Sequence, residues 1–460
     1  MNKFLTLRNE HPDFIFRSYE IKETEDSVDL CFSFSIPGLA EFNPGWSFPK
    51  PAGIKAVGDP VFERLAFSMG MAEAVSYWKA VCSPEFRIEC GYLDDAQKEW
   101  WKKLWFLGLG EFFYVNGIET TQHDLVDIVC TGTAIENASG VNRELKGCLV
   151  PIGGGKDSAL TLETLNNAGM YCRCYSINKR NSVSATVAAA GLPADVLITA
   201  HRKFDRSLIE LNNKGCLNGH TPFSSVVAFS AEITAYLYGL KYIVLSNESS
   251  ANESTVAGSS VNHQYSKSFE FESDFHEYEE KYLGTGINYF SFLRPLTEFQ
   301  IAAMFVADKK YLSVFRSCNL GSKVSPDIWC GKCPKCLFVS LILSPFLSPA
   351  ELEGIFGRDM LDDPDMKKYF IELIGQSEHK PFECVGSVNE VNLAVSLAIN
   401  RLIEHGENLP LLFKDYMERG LYHPEDLEDL RESCCRCFNE QNLLPEEFKT
   451  ILTKEMERLL

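Results

Sequence analysis

Between Gly147 and Ser246, short apolar runs alternate with longer stretches of helical periodicity. Residues 148–152 (CLVPI) read as a buried strand, and 158–168 as a helix with Gly169 at its C-terminal end. Residues 171–177 (YCRCYSI) read as a second strand and 183–190 as a short helix stopped by Gly191. Residues 195–199 (DVLIT) are expected to form a third strand. Thr221-Pro222 is a helix-start signature, a capping hydroxyl followed by proline in the first turn, and the helix should run to Gly239. Residues 242–246 (YIVLS) complete the series as a fourth strand. Strands separated by helices pair in parallel and take helices on both faces, and such sheets bind ligands at the carboxyl ends of their strands.

The flanking regions have other patterns. Residues 1–145 mix strand-like segments, such as 28–36 (VDLCFSFSI), with aromatic helices. In AQKEWWKKLWFL, Trp100, Trp101, Leu104 and Trp105 share one helical side, as a core-facing stripe should. Beyond about Ser340 the chain is helical and charged. The expected fold is therefore α/β. A parallel-sheet domain at 146–340 lies between an aromatic-rich α+β N-terminal domain at 1–145 and a helical C-terminal region at 341–460.

Charge and composition narrow the function classes. Lys and Arg number 44 against 63 Asp and Glu, a net charge of −19 with no basic run, which opposes a nucleic-acid partner. Lys3, Arg8 and Glu10 interrupt any signal-peptide core, and no apolar run reaches the ~18 residues of a membrane span. A cytoplasmic protein without membrane association is expected, and its sixteen cysteines read as free thiols apart from any tight cluster.

The chemistry concentrates where the first strand ends, in PIGGGKDSAL. A Walker A loop needs Gly-x4-Gly-Lys-Ser/Thr, but Asp157 follows Lys156 and Val150 stands at the upstream glycine position. A dinucleotide fingerprint needs a third glycine where Ser158 stands. What remains still suits an anion. Gly153, Gly154 and Gly155 let backbone N–H groups close in, the helix start is electropositive, and Lys156 and Ser158 add donors. Asp157 repels a bare phosphate and so points to a bridging Mg2+. The stretch resembles the Ser-Gly-Gly-x-Asp-Ser pyrophosphatase loop (PP-loop) of ATP pyrophosphatases, whose domain is HUP-like. Gly154, Gly155, Asp157 and Ser158 match that pattern, and Gly153 replaces its leading serine.

Three further segments carry candidate chemistry. Cys318, Cys330, Cys333 and Cys336 have a spacing that suits a structural tetrahedral Zn2+, whereas Cys434, Cys435 and Cys437 lack a fourth ligand. SNESSANEST leaves the fourth strand with Asn247, Glu248, Asn252 and Glu253, and VNHQYSKS carries Asn262, His263, Gln264 and Lys267. Both should lie where the crevice of the sheet opens, with NGHTP bringing His220 to the same edge.

SYWKAVCSPEF, GLGEFFYVNGI, VPIGGGKDSALTLE, LSNESSANE, VNHQYSKSFEFE and CGKCPKC occur in that order, and over residues 60–340 the chain resembles the UDP-N-acetylmuramoyl-L-alanyl-L-glutamate epimerases. That resemblance implies an ATP-dependent inversion of the terminal L-glutamate of UDP-MurNAc-L-Ala-L-Glu to D-glutamate in peptidoglycan synthesis. An acyl-adenylate would be the intermediate and AMP and pyrophosphate the products. The implied roles place residues 153–158 on the pyrophosphate, Asp157 on Mg2+, and Lys156 and Lys267 on phosphate charge. Proton transfer falls to His263, His220 or Glu248, an oxyanion site to Asn247 or Asn252, and substrate contacts to Asn247, Asn252, Glu253, Asn262 and Gln264. A 7-cyano-7-deazaguanine synthase-like enzyme, a tRNA-modifying PP-loop enzyme and a non-catalytic nucleotide-binding module remain as alternatives at this point. Oligomeric state is left open.

Overall fold

The computed structural model describes residues 2–135, 144–252, 262, 264–435 and 437–459. The chain forms two compact units that interleave in sequence. One takes residues 1–149, 198–243 and 261–289, and the other 150–197, 244–260 and 290–460.

The first unit is built on a mixed sheet. Strands β1 (Asp13–Glu23) and β2 (Ser27–Ile36) form an antiparallel hairpin, and β3 (Ala40–Phe42) and β4 (Gly45–Pro49) pair antiparallel with β2. On the other side β5 (Glu85–Ile88) runs parallel to β1, and β6 (Asp127–Cys130) parallel to β5. The later strands are β7 (Cys148–Pro151), β8 (Cys172–Ile177), β9 (Leu197–Lys203), β10 (Tyr242–Leu245) and β11 (Asn288–Ser291). β7 and β10 pair in parallel, as the strand–helix alternation requires. β9 also pairs antiparallel with β4, Gly45 opposite Lys203. Alternation fixes the direction of strands joined by helices; it says nothing of a partner from an earlier hairpin. The third strand also starts later than its sequence indicates, because residues Ala194–Val196 close a 3-10 turn first.

Aromatic side chains fill this unit. Phe14, Phe16, Phe32 and Phe34 are buried along β1 and β2, with Phe16 stacked on Phe67 at 6.0 Å between ring centroids. Phe67 belongs to helix Pro60–Trp78, started by the Asp59 cap and Pro60; it is apolar nearly all round and buried accordingly. It packs against helix Phe223–Tyr238. Three of the four residues of the tryptophan stripe face the core as expected, whereas Trp100 is half-buried and donates its indole N–H to the Asp274 carbonyl at 2.9 Å. Helix Asp95–Gly108 opens with an Asp94/Gln97 capping box and buries Trp101, Leu104 and Trp105. Trp101 stacks on Phe229 and its indole N–H donates to Tyr278 Oη at 3.2 Å. The helix expected to start at Thr221-Pro222 begins at Phe223, without a side-chain cap, because Thr221 Oγ1 accepts the Lys79 ammonium instead.

In the second unit β7 ends at the glycine turn. There the Ile152 N–H donates to the Tyr175 carbonyl of β8 at 2.8 Å, and helix Lys156–Asn167 begins. Helix Glu298–Ala307 packs on that helix, and helices Pro334–Leu343 and Val388–Glu404 pack on each other. Among the described residues, no helix is long and apolar enough to cross a membrane.

Candidate active site

The glycine turn is held by its surroundings as well as by its own flexibility. Gly154 has φ +84°, and a Cβ there would lie 2.3 Å from Ser182 Oγ, so no side chain fits on either count. The Gly154 carbonyl accepts the Arg316 N–H at 2.6 Å. A Cβ on Gly155 would sit 3.2 Å from Ser317 Cβ, whereas Gly153 has nothing within 4 Å. Gly155 is the N-cap of helix Lys156–Asn167 and supplies no side-chain acceptor to the first-turn N–H groups. Ser158 Oγ turns back to the Gly155 carbonyl at 3.2 Å.

Beneath the turn lies a buried charge cluster. The Lys156 ammonium is bound by both Asp157 and Glu298, with Lys156 and Glu298 each only 2% exposed and Asp157 partly open to solvent. Sequence placed Lys156 at the phosphate; its side chain is directed into the unit and pinned between two carboxylates. Burial by itself would lower the Lys156 pKa, but the charges of Asp157 and Glu298 outweigh it and hold it above the ordinary range. Glu298 is pushed up to about 8, first by burial and then by the charges of Asp157 and Glu248, against the opposing pull of Lys156 and Lys335. Lys156 shares its charge between Asp157 and the buried Glu298, so its pull does not offset the burial of Glu298, whose pKa stays raised. Glu298 was not selected from sequence. Its only local sign is the Thr297-x-x-Gln300 capping box that starts its helix, which marks a helix end and not a charge site. Glu248 is buried, accepts Ser250 Oγ at 3.3 Å, and offers its carbonyl to Arg294 Nη1 at 2.7 Å. Asn247 Nδ2 donates to Ser291 Oγ at 2.9 Å, and Asn252 is exposed.

The remaining candidates divide between the first unit and the undescribed residues. Glu253 and His263 lie outside the described residues. Gln264 is buried, its N–H donating to Asn262 Oδ1 at 2.7 Å, and Lys267 follows in a 3-10 turn. His220 Nδ1 faces Glu111 Oε2 at 3.3 Å.

The four predicted cysteines converge. The Sγ atoms of Cys318, Cys330, Cys333 and Cys336 lie within 4.8 Å of one another, with Cys318–Cys333 at 3.8 Å, Cys330–Cys336 at 3.7 Å and Cys333–Cys336 at 3.4 Å. Tetrahedral zinc with Zn–S of ~2.3 Å requires S···S edges of about 3.8 Å, so the four thiols fit that ion. Gly321 N–H donates to Cys318 Sγ at 3.1 Å and Cys336 N–H to Cys333 Sγ at 3.4 Å, contacts that favour thiolates. The carbonyls of Cys434, Cys435 and Cys437 accept Thr297 Oγ1 and Gln300 Nε2, and Cys437 Sγ donates to Gln300 Oε1 at 3.8 Å.

Fold and site together define a mixed α/β protein with a glycine turn at a strand–helix junction, a buried charge cluster beneath it and a four-cysteine group. Residues 6–292 match the MurL N-terminal domain and residues 314–409 the MurL C-terminal domain. The chain belongs to the MurL family. It is 41% identical over 395 residues to a protein of Salinispora tropica, covering 84% of each chain, and 35% identical over 333 residues to one of Xanthomonas oryzae pv. oryzae, covering 71% of this chain and 72% of that one. A Micromonospora protein is 32% identical over 396 residues, 84% of this chain and 86% of its own. All three are named UDP-N-acetyl-alpha-D-muramoyl-L-alanyl-L-glutamate epimerase. No solved structure matches the chain.

Proposed function

We propose that this protein inverts the terminal L-glutamate of UDP-MurNAc-L-Ala-L-Glu to D-glutamate, in cell-wall synthesis, through an acyl-adenylate made from ATP. The names of the relatives support the substrate and the inversion. The observation that carries ATP use is the glycine turn opening a helix with no side-chain cap, where first-turn N–H groups and the helix dipole favour a phosphate.

The chemistry gives ATP a reason to be present. Removing the Cα proton beside a free carboxylate builds a carbanion next to a negative charge. Converting that carboxylate to a mixed anhydride with AMP removes the charge and lets the electron pair delocalise as an enolate. Every pKa unit gained at Cα lowers the deprotonation cost by about 1.4 kcal/mol. The two diastereomers have similar free energies, so the nucleotide serves the rate, and hydrolysis of the adenylate draws the sequence forward.

In this reading residues 153–158 receive the departing pyrophosphate, and Lys156 holds Asp157 at the first turn of the helix. Asp157, beside the turn and partly open to solvent, is the carboxylate that would hold a divalent cation. Mg2+ on Asp157 would supply charge neutralisation for the phosphates. His220, His263 and Glu248 are the proton-transfer candidates, Asn247 or Asn252 the enolate donor, Asn262, Gln264 and Glu253 substrate contacts, and Lys267 a cation for phosphate charge. The four cysteines would hold a structural Zn2+.

The test is to supply UDP-MurNAc-L-Ala-L-Glu with ATP and Mg2+ and follow AMP release and glutamate chirality together. AMP should form only when the dipeptide is present, and Asp157→Ala should abolish it. Inversion at full rate without ATP sinks the adenylate reading. Binding of ATP with no turnover under any condition leaves a nucleotide-binding module instead.

A further inference from the structure

Four helices of the second unit line a cavity of about 480 Å3. They are Pro334–Leu343, Pro349–Phe356, Val388–Glu404 and Leu411–Glu418, joined by residues 358–362. None of the lining residues belongs to the glycine turn or to the cysteine group. The volume falls within the ~300–1,000 Å3 of small-molecule sites, which often lie between packed helices. Leu352, Met360, Leu402 and Phe413 give the cavity an apolar side. Its polar side is held in place by hydrogen bonds. Asp359 Oδ1 accepts the Leu361 and Asp362 N–H groups at 2.9 and 3.2 Å, and Asp362 Oδ1 accepts the Leu411 N–H at 2.8 Å. Arg358 binds Asp363 and packs so closely on Gly331 that a Cβ there would lie 2.7 Å from Arg358 Cδ. Such preformed walls spare a ligand the cost of ordering them.

Both signs of charge line this cavity without meeting. Glu353, Asp359 and Asp362 lie on it, yet Arg401 and Lys414 form no ion pair among the described residues. The guanidinium of Arg401 makes no hydrogen bond among them either, and its Nε is buried without an acceptor. An unmet buried N–H costs stability, so packing alone gives no reason for an arginine here. Opposite charges kept apart beside an apolar surface are complementary to a ligand that carries both charges itself. The planar guanidinium fork matches a carboxylate, and the carboxylates match an ammonium. We propose that this cavity binds an α-amino acid with an apolar side chain. Its carboxylate pairs with Arg401, its ammonium faces Glu353, Asp359 and Asp362, and its side chain packs against Leu402 and Phe413. The proposal does not depend on the epimerase reading.

The experiment is isothermal titration of the full-length chain with L-leucine and with two analogues that each lack one charge: 4-methylpentanoate, without the ammonium, and 3-methylbutylamine, without the carboxylate. L-Leucine should bind saturably and raise the thermal midpoint, as a ligand of the folded state does. Each analogue should bind at least ~10-fold more weakly, the scale of one lost charged hydrogen-bonding partner. Arg401→Met keeps an apolar stem and removes the guanidinium. It should weaken leucine binding ~10–100-fold, while the ligand-free protein keeps or raises its thermal midpoint because the unmet N–H is gone. Arg401→Lys keeps the charge without the fork and should fall between the two, and it serves where Arg401→Met does not fold. Absence of saturable leucine binding overturns the proposal. Either analogue bound as tightly as leucine overturns it too, since the site would then read one charge only. Leucine bound at wild-type strength by either Arg401 variant places the ligand elsewhere and overturns it as well.

Discussion

Lys156 and Glu298, 142 positions apart in sequence, meet as a buried ion pair under the glycine turn. The pair is unequal. Lys156 also binds Asp157, so its charge is shared, and Glu298 keeps a raised pKa of about 8 in spite of its partner. That gives stability a definite pH dependence. A carboxyl whose folded pKa lies above its unfolded value of 4.5 binds its proton more tightly when folded. Its contribution is whole below pH 4.5 and lost as pH rises toward 8, with a limiting slope of about 1.4 kcal/mol per pH unit. Lys156, raised as well, adds stability that persists to its ordinary pKa of 10.5 and is lost only above it. Thermal midpoints at pH 5, 6, 7 and 8 should therefore fall with pH in the wild type, and less steeply in Glu298→Gln. Equal slopes in the two proteins count against the assignment.

The same pair predicts an asymmetry between substitutions. Lys156→Met strands Asp157 and Glu298 without their cation and should cost ~3–5 kcal/mol, as removal of one member of a buried pair does. Glu298→Gln leaves Lys156 with Asp157 and should cost clearly less. The double variant should recover part of the Lys156→Met loss, since the stranded charge is gone. Denaturant midpoints of the three proteins read this directly; a double variant weaker than Lys156→Met by the full single cost of Glu298→Gln would show the two side chains to be independent.

Neighbouring glycines should respond in opposite ways. Gly154→Ala forces a Cβ into Ser182 Oγ at 2.3 Å and a side chain onto a left-handed backbone. A cost of ~1–3 kcal/mol from the backbone alone is expected, with loss of turnover on UDP-MurNAc-L-Ala-L-Glu. Gly153→Ser meets nothing within 4 Å. It restores the hydroxyl that stands first in the pyrophosphatase-loop pattern, so it should keep its thermal midpoint and lower the KM for ATP or leave it unchanged. A Gly153→Ser protein as damaged as Gly154→Ala would remove the loop from the phosphate.

Local patterns in the sequence were legible where local forces decide. β7, the helix after it, the Trp101/Trp105 stripe and the αL glycine ending helix Phe223–Tyr238 all follow from periodicity and capping. Cysteine spacing was legible because the Cys-x2-Cys-x2-Cys run shares one turn, although Cys318 reaches it only through the fold. The antiparallel β4–β9 pairing, the inward turn of Lys156 and the Lys79 hold on Thr221 were not, since each is set by a partner far away in sequence. Thr221 shows the conflict plainly: its hydroxyl is a good helix cap by local rules, and a buried ammonium has the stronger demand for it.

The cysteine group and the glycine turn are joined by a short piece of chain, and this makes metal removal informative. Arg316 donates its N–H to the Gly154 carbonyl, Ser317 Cβ sits against Gly155, and Cys318 follows immediately as one of the four clustered thiols. Asp327, between Cys318 and Cys330, accepts the Ser182 N–H at 3.1 Å, and Ser182 is the residue that packs on Gly154. Whatever fixes the four sulfurs thus fixes both walls of the turn. Elemental analysis of the purified protein should find about one zinc per chain, as four thiolates at tetrahedral spacing require. Stripping it with a chelator should lower the thermal midpoint, because binding free energy at such a site is folding free energy. It should also weaken ATP binding measured by calorimetry. Cys333→Ser should reproduce both effects at full zinc supply. If the metal-free protein melts lower but binds ATP as before, the cluster stabilises the fold without shaping the turn.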